Sequence, residues 1–137
     1  VQDYLTHLDA LRDAGCLTDY VGLGSVCRRN QEEEIAHIIS TVREALSPSR
    51  SLHAFGVKVS VLRRDGMLDA LTSVDSCAWD YGRRMEAQYG DGAYNWRTVL
   101  AAYIDYKEKV DALFEANTDE HQQTLTDLTD STTPVHM

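Results

Sequence analysis

The chain has 137 residues and a mass of 15.4 kDa, the size of one domain with enough length to bury a core. Its 43 % hydrophobic and 26 % charged residues exclude a disordered or fibrous protein, and no stretch approaches the roughly 20 apolar residues of a membrane span. The net charge of −9 argues against indiscriminate binding to nucleic acid or to anionic membranes.

In chain order, Gln2 to Ala14 carries Leu5, Leu8 and Leu11 at helical spacing, with Gly15 as a stop. Tyr20 to Val26 is short, apolar and glycine-bearing, and reads as a buried strand running into a loop. Asn30 is placed to cap a helix with Glu33 reaching back, and Ile35, Ile38, Ile39, Val42 and Leu46 form its apolar stripe. Ser47-Pro48-Ser49 ends that helix.

A second strand is predicted over Leu52 to Val57, then a short helical stretch from Val61 to Leu71 weakened at Asp65-Gly66. Ser73 to Cys77 is a third extended piece. A helix from Trp79 to Gln88 follows, then a glycine loop at Gly90-Asp91-Gly92. A long helix from Asn95 to about Glu115 sets Trp96, Val99, Leu100, Tyr103, Val110 and Phe114 near one face. From Asn117 onward Thr, Asp and Gln dominate, so residues 1–116 read as the folded part and 117–137 as a polar, disordered tail.

Alternating strands and helices imply an α/β fold with a parallel sheet and right-handed crossovers. Ligands in such sheets bind at the carboxyl ends of the strands, here Gly22 to Arg29, Gly56 to Lys58 and Asp75 to Tyr81. A small doubly wound sheet and a piece of a (β/α) barrel both fit the pattern. A full barrel needs about 250 residues, so this chain does not close one alone.

Each strand end carries two readings. Gly22-Leu23-Gly24-Ser25 places glycines where backbone lies close to a ligand, or simply turns tightly; it is not a dinucleotide fingerprint, because Cys27 stands where a third glycine is required. Gly56, in Phe55-Gly56-Val57-Lys58, repeats the theme, with a packing glycine as the plain alternative. His53 reads as a core or edge histidine before a catalyst. Asp75 ends an apolar strand, where a carboxylate serves as nucleophile, base or metal ligand, or else caps the helix that begins near Trp79. Arg28-Arg29, Lys58, Arg63-Arg64 and Arg83-Arg84 follow the strands and make either one positive rim for phosphates or a set of ion pairs.

Cys16, Cys27 and Cys77 make an odd count without metal or redox spacing, and no histidine forms a ligand-spaced pair with them. Reduced, mostly buried thiols, no metal and a cytoplasmic location are expected. Asp exceeds Glu, and Lys58, Lys107 and Lys109 are the only lysines, which fits a protein of a salt-rich cytoplasm. The chain opens on Val1 with no basic-plus-apolar leader, which predicts no signal peptide and reads as an excerpt or a shortened chain.

Three blocks carry a more specific signal: Tyr20 to Asn30 (YVGLGSVCRRN), Leu52 to Lys58 (LHAFGVK) and Ser73 to Gly82 (SVDSCAWDYG). In order and spacing they resemble consecutive signature blocks of the tRNA-guanine transglycosylase superfamily, and within it the DpdA branch that puts 7-deazaguanine bases into DNA. The likeness covers about residues 1–90. It implies a partial TIM-type barrel of about three parallel strands with crossover helices, followed by C-terminal helices. By position it makes Asp75 the nucleophile that attacks C1′ of the target nucleotide and holds the strand covalently, a role suited to a carboxylate. Gly22, Leu23, Gly24 and Ser25 would cradle the incoming base, such as preQ0, beside a wall formed by His53, Phe55, Gly56 and Lys58. Arg28, Arg29, Arg83 and Arg84, with Lys58, would meet the phosphate backbone.

Departures from the family pattern narrow this reading. The second catalytic Asp and the Asp that reads the guanine edge belong to an earlier barrel half that is absent here. The zinc ligands of the tRNA enzymes are missing after Asp75, since Cys77 is the last cysteine. DNA is therefore the expected substrate rather than tRNA, with no metal or other cofactor, no membrane, and either a missing N-terminal half or self-association to complete the barrel. Two rivals stand beside this: a non-catalytic half-barrel that binds a partner or nucleic acid, and a small doubly wound phosphate-binding protein.

Overall fold

The computed structural model describes residues 1–90 and 94–130, and the side chains of all of these except Arg28 and residues 125–130. Helix α1 (Gln2–Asp13) precedes strand β1 (Tyr20–Leu23), a single 3-10 turn (Val26–Arg28) and helix α2 (Glu32–Ala45). Strand β2 (Ser51–Ala54) leads to two one-turn helices, α3 (Val59–Leu62) and α4 (Met67–Ala70), and then to strand β3 (Ser73–Val74). Helices α5 (Ala78–Tyr89) and α6 (Trp96–Asp130) complete the described chain.

The strands are parallel and lie in the order β1-β2-β3. Gly22 is paired with His53, and His53 in turn with Ser73. Because side chains alternate along a strand, this register sends Leu23, Leu52 and Ala54 to one face and Tyr20, His53 and Ser73 to the other. The first face is the core. Leu52 and Ala54 are fully buried there against Ile38 and Ile39 of α2, Val61 and Leu62 of α3, and Met67 of α4. Removing these side chains from water supplies about 1.5–3 kcal/mol each for the larger ones. The second face stays open, with Tyr20 53 % and Phe55 47 % exposed.

Local chemistry explains most boundaries and several departures from expectation. The isoleucine stripe of α2 is buried as its spacing predicts. Asn30 does not cap that helix: Gln31 occupies the position without a side-chain bond. The carboxylates of its first turn are drawn to tertiary partners instead, Glu32 to Ser60 (2.5 Å), Glu33 to Arg64 (3.7 Å) and Glu34 to Arg29. The stretch before β3 breaks into two helices at Gly66, whose φ of +75° a helix interior does not accept.

Both outer strands of the pattern are shorter than their apolar runs. Helix α6 runs on through Asn117 to Asp130, where the sequence pattern placed a polar tail. Asn117 Nδ2 donates to Asp69 Oδ1 (2.7 Å), and His121 Nε2 lies 3.3 Å from the same oxygen, so the far half of α6 is tied to α4. Residues 131–137, and Asp91-Gly92 of the glycine loop, lie outside the described residues. Val110 and Phe114 pack on the core as predicted, but Trp96 is 69 % exposed. The three cysteines are free, and each is exposed rather than buried, because the core is closed by aliphatic side chains of the helices instead.

Candidate active site

Asp75 stands one residue beyond β3, and backbone bonds carry the ladder out to it. Its N–H donates to the Ala54 carbonyl (3.3 Å), and its own carbonyl accepts from Val57 N–H (3.0 Å). The side chain does not cap α5. Oδ1 accepts the Gly56 N–H at 2.7 Å, and Oδ2 lies 3.8 Å from His53 Nε2. At the start of α5 it is Ser76 Oγ that accepts the Ala78 N–H (3.1 Å). The carboxylate keeps 57 % of its side chain exposed on the open face.

Gly56 earns its place by geometry. Its φ is +73°, and a Cβ there would stand 2.1 Å from Cys27 Cβ. Only a glycine allows the chain to pass this close and still aim its N–H at Asp75. Gly22 has a different reason: a Cβ would come within 2.9 Å of the Phe55 ring, which lies over β1. Phe55 also meets the His53 ring edge-on with centroids 4.4 Å apart. The close approach that the glycines of β1 signalled is thus made, at Gly22, by Phe55.

Five expected site residues therefore meet on the open face: Gly22, His53, Phe55, Gly56 and Asp75. The others do not join them. Gly24, Ser25 and Arg29 line a cavity of about 470 Å³ whose opposite wall is Tyr4 and His7 of α1, and Gly22 and Leu23 border it as well, so Gly22 adjoins both the open face and this cavity. Leu23 is 4 % exposed, so its side chain serves the core. Asp75 instead borders a cleft of about 180 Å³ with Trp79, Tyr103 and Tyr106. The expected cradle and the expected nucleophile open on separate cavities.

The positive residues are mostly engaged within the molecule. Arg29 pairs with Glu34 and lies over the Tyr4 ring, 5.8 Å from its centroid, and Tyr4, with Glu34, raises the pKa of its guanidinium. Arg83 donates to the Thr98 carbonyl (2.6 Å), and Arg84 Nε sits 3.1 Å from Asp80 Oδ2. Lys58 is exposed at the start of α3, two residues past Gly56.

Sequence reasoning missed Tyr20, Ser73 and Tyr106 as neighbours of this site. Tyr20 and Ser73 reach His53 through the strand register. Tyr106 arrives from α6; burial first, then Asp75, raises its pKa above 10.0, and its hydroxyl is buried with no hydrogen-bond partner. Among the described residues, no group of three or more His, Cys, Asp or Glu side chains is arranged to hold a metal ion, and no helix is long and apolar enough to cross a membrane.

A family model described as DpdA, DeoxyPurine in DNA protein A, matches residues 1–129. The chain belongs to the DpdA family. No curated protein and no solved structure matches it. The matched span takes in β1, β2, β3 and nearly all of α6, so every residue of the open face lies within the DpdA region. Membership ties the chain to DNA modification and to the 7-deazaguanine transglycosylases as a relationship of family.

Proposed function

We propose that this DpdA-family chain carries the nucleophile of a transglycosylase that exchanges guanine in DNA for a 7-deazaguanine base. The observation that carries the reading is the carboxylate of Asp75, held by the Gly56 N–H at a strand's carboxyl end yet still exposed on the open face. Asp75 Oδ2 forms a bond to C1′ of the target deoxynucleotide as the C1′–N9 bond breaks, and guanine leaves with that electron pair and takes up one proton. N9 of the incoming base then attacks C1′, loses its proton, and returns Asp75 to the carboxylate. Two displacements at C1′ retain its configuration, as in retaining glycosidases. The target nucleotide must leave the base stack to reach Asp75. The exposed Phe55 ring over Gly22 would offer a stacking wall for the base, and the exposed Lys58, two residues past Gly56, would meet a phosphate.

The sheet order supports the barrel-segment reading over the doubly wound one. Strands run β1-β2-β3 without the order reversal of a doubly wound sheet, and among the described residues α2, α3 and α4 cluster with Leu52 and Ala54 of the core face. The open face would then be barrel interior, completed by strands supplied elsewhere. The test is to trap a covalent protein–DNA species with a guanine-containing oligodeoxynucleotide and to repeat it with Asp75→Ala. A species lost in the variant is expected; one that persists removes Asp75 as nucleophile.

A second reading, a non-catalytic half-barrel subunit, draws on the exposed Tyr20 and Phe55 and on the position of β1 at the edge of the described sheet. Self-association without any DNA adduct would favour it.

A further inference from the structure

Side chains from all three strands converge on the open face in one line of contacts. The Tyr20 hydroxyl is hydrogen-bonded to Ser73 Oγ, and Ser73 Oγ lies 2.7 Å from His53 Nδ1. The other ring nitrogen, Nε2, faces Asp75 Oδ2 at 3.8 Å. The ladder accounts for the alignment, because Ser73 is directly opposite His53. His53 has 17 % of its side chain exposed and is braced edge-on by Phe55, so its neighbours set its orientation.

The protons in this line have a preferred direction. A phenol is the stronger donor of the two hydroxyls, which favours donation from Tyr20 to Ser73 and leaves the Ser73 proton for His53 Nδ1. A neutral ring that accepts at Nδ1 carries its own proton on Nε2, the nitrogen aimed at Asp75. We propose that His53 is a positioning residue for Asp75, locked by Tyr20 and Ser73 in the tautomer that points Nε2–H at Oδ2. This rests on the reading of Asp75 as the nucleophile.

The two carboxylate oxygens are then held unequally. Oδ1 has a true hydrogen bond from Gly56, whereas 3.8 Å to His53 is an electrostatic guide that leaves the lone pairs of Oδ2 open. Oδ2 is the oxygen oriented to bond to C1′, and Oδ1 becomes the ester carbonyl with its Gly56 donor still in place. His53 thus aims the nucleophile without touching the base.

Long-range 1H–15N spectra of the chain, with His53 assigned from a His53→Gln sample, report which ring nitrogen bears the proton. The Nε2–H form is expected in the wild type and a mixture of tautomers in Ser73→Ala. An Nδ1–H ring, or a tautomer that ignores Ser73→Ala, overturns the proposal. In the adduct assay, His53→Ala should slow adduct formation about tenfold to a hundredfold with KM unchanged, and His53→Gln should recover part of the rate. A raised KM with the rate intact would make His53 a wall of the base site and overturn the positioning role. If the wild type forms no adduct, the transglycosylase reading fails, while the spectra still decide the tautomer.

Discussion

The Gly56 N–H and the Asp75 carboxylate meet at 2.7 Å, and this bond joins the ends of two adjacent parallel strands. It exists because Gly56 adopts a φ of +73°, costly for a residue with a Cβ, and passes over Cys27 with a clearance that no Cβ fits. Local backbone geometry and the placement of the carboxylate are therefore one feature.

Gly56→Ala should destabilise the fold far more than Gly66→Ala. Both glycines have positive φ, but a Cβ at Gly66 meets nothing within 4 Å. The left-handed conformation alone costs about 1–2 kcal/mol, so Gly66→Ala reports that cost and any excess at Gly56 reports the Cys27 clash. Urea denaturation of the two variants measures the difference, and equal losses would contradict the clash.

Tyr106→Phe should leave stability at neutral pH unchanged or raise it by up to about 1 kcal/mol, because the hydroxyl it removes is buried without a partner. The pH dependence has a definite sign. With the folded pKa raised above 10.0, the folded state holds the phenol proton longer than the unfolded state does. That contribution is full below pH 10.0 and is lost as pH rises through the raised value. Tyr94 and Lys107, raised by Asp80 and Asp111, act in the same direction, so the variant should lose part of the alkaline slope and not all of it. Urea midpoints across the alkaline range check this.

Asp69→Ala should loosen the far half of α6 with little change in global stability. Its carboxylate holds both Asn117 and His121, and exposed contacts of this kind contribute about 0–1 kcal/mol. Faster amide exchange over residues 115–124, with the exchange of α2 unaltered, is the expected outcome. Unchanged exchange would mean that Val110 and Phe114 anchor the helix unaided.

Phe55→Ala should fold, since the ring is half exposed, and should weaken base binding. Stacking on an aromatic ring contributes about 1–3 kcal/mol per base, so KM for the incoming base should rise roughly fivefold to a hundredfold. An unchanged KM would remove Phe55 from the base site.

The order of elements was legible along the chain. The stripe from Ile35 to Val42, the stop at Ser47-Pro48 and the break at Asp65-Gly66 are local signals, set by residues within one or two turns of each other. Asp75 and Gly56 were picked out at their strand ends for the same reason, as a lone carboxylate and a glycine after apolar runs. The polar composition after Asn117 misled: the stretch continues α6, and its first turn meets a carboxylate 48 residues away. What the sequence by itself determined was the order of the strands and helices and which strand-end residues are candidates for chemistry. Only the tertiary structure decided that His53 lies between Ser73 and Asp75, that Gly22 yields to Phe55, and that Ser25 and Asp75 open on different cavities. Those relations depend on the register between parallel strands, and a shift of one residue would turn every one of these side chains to the opposite face.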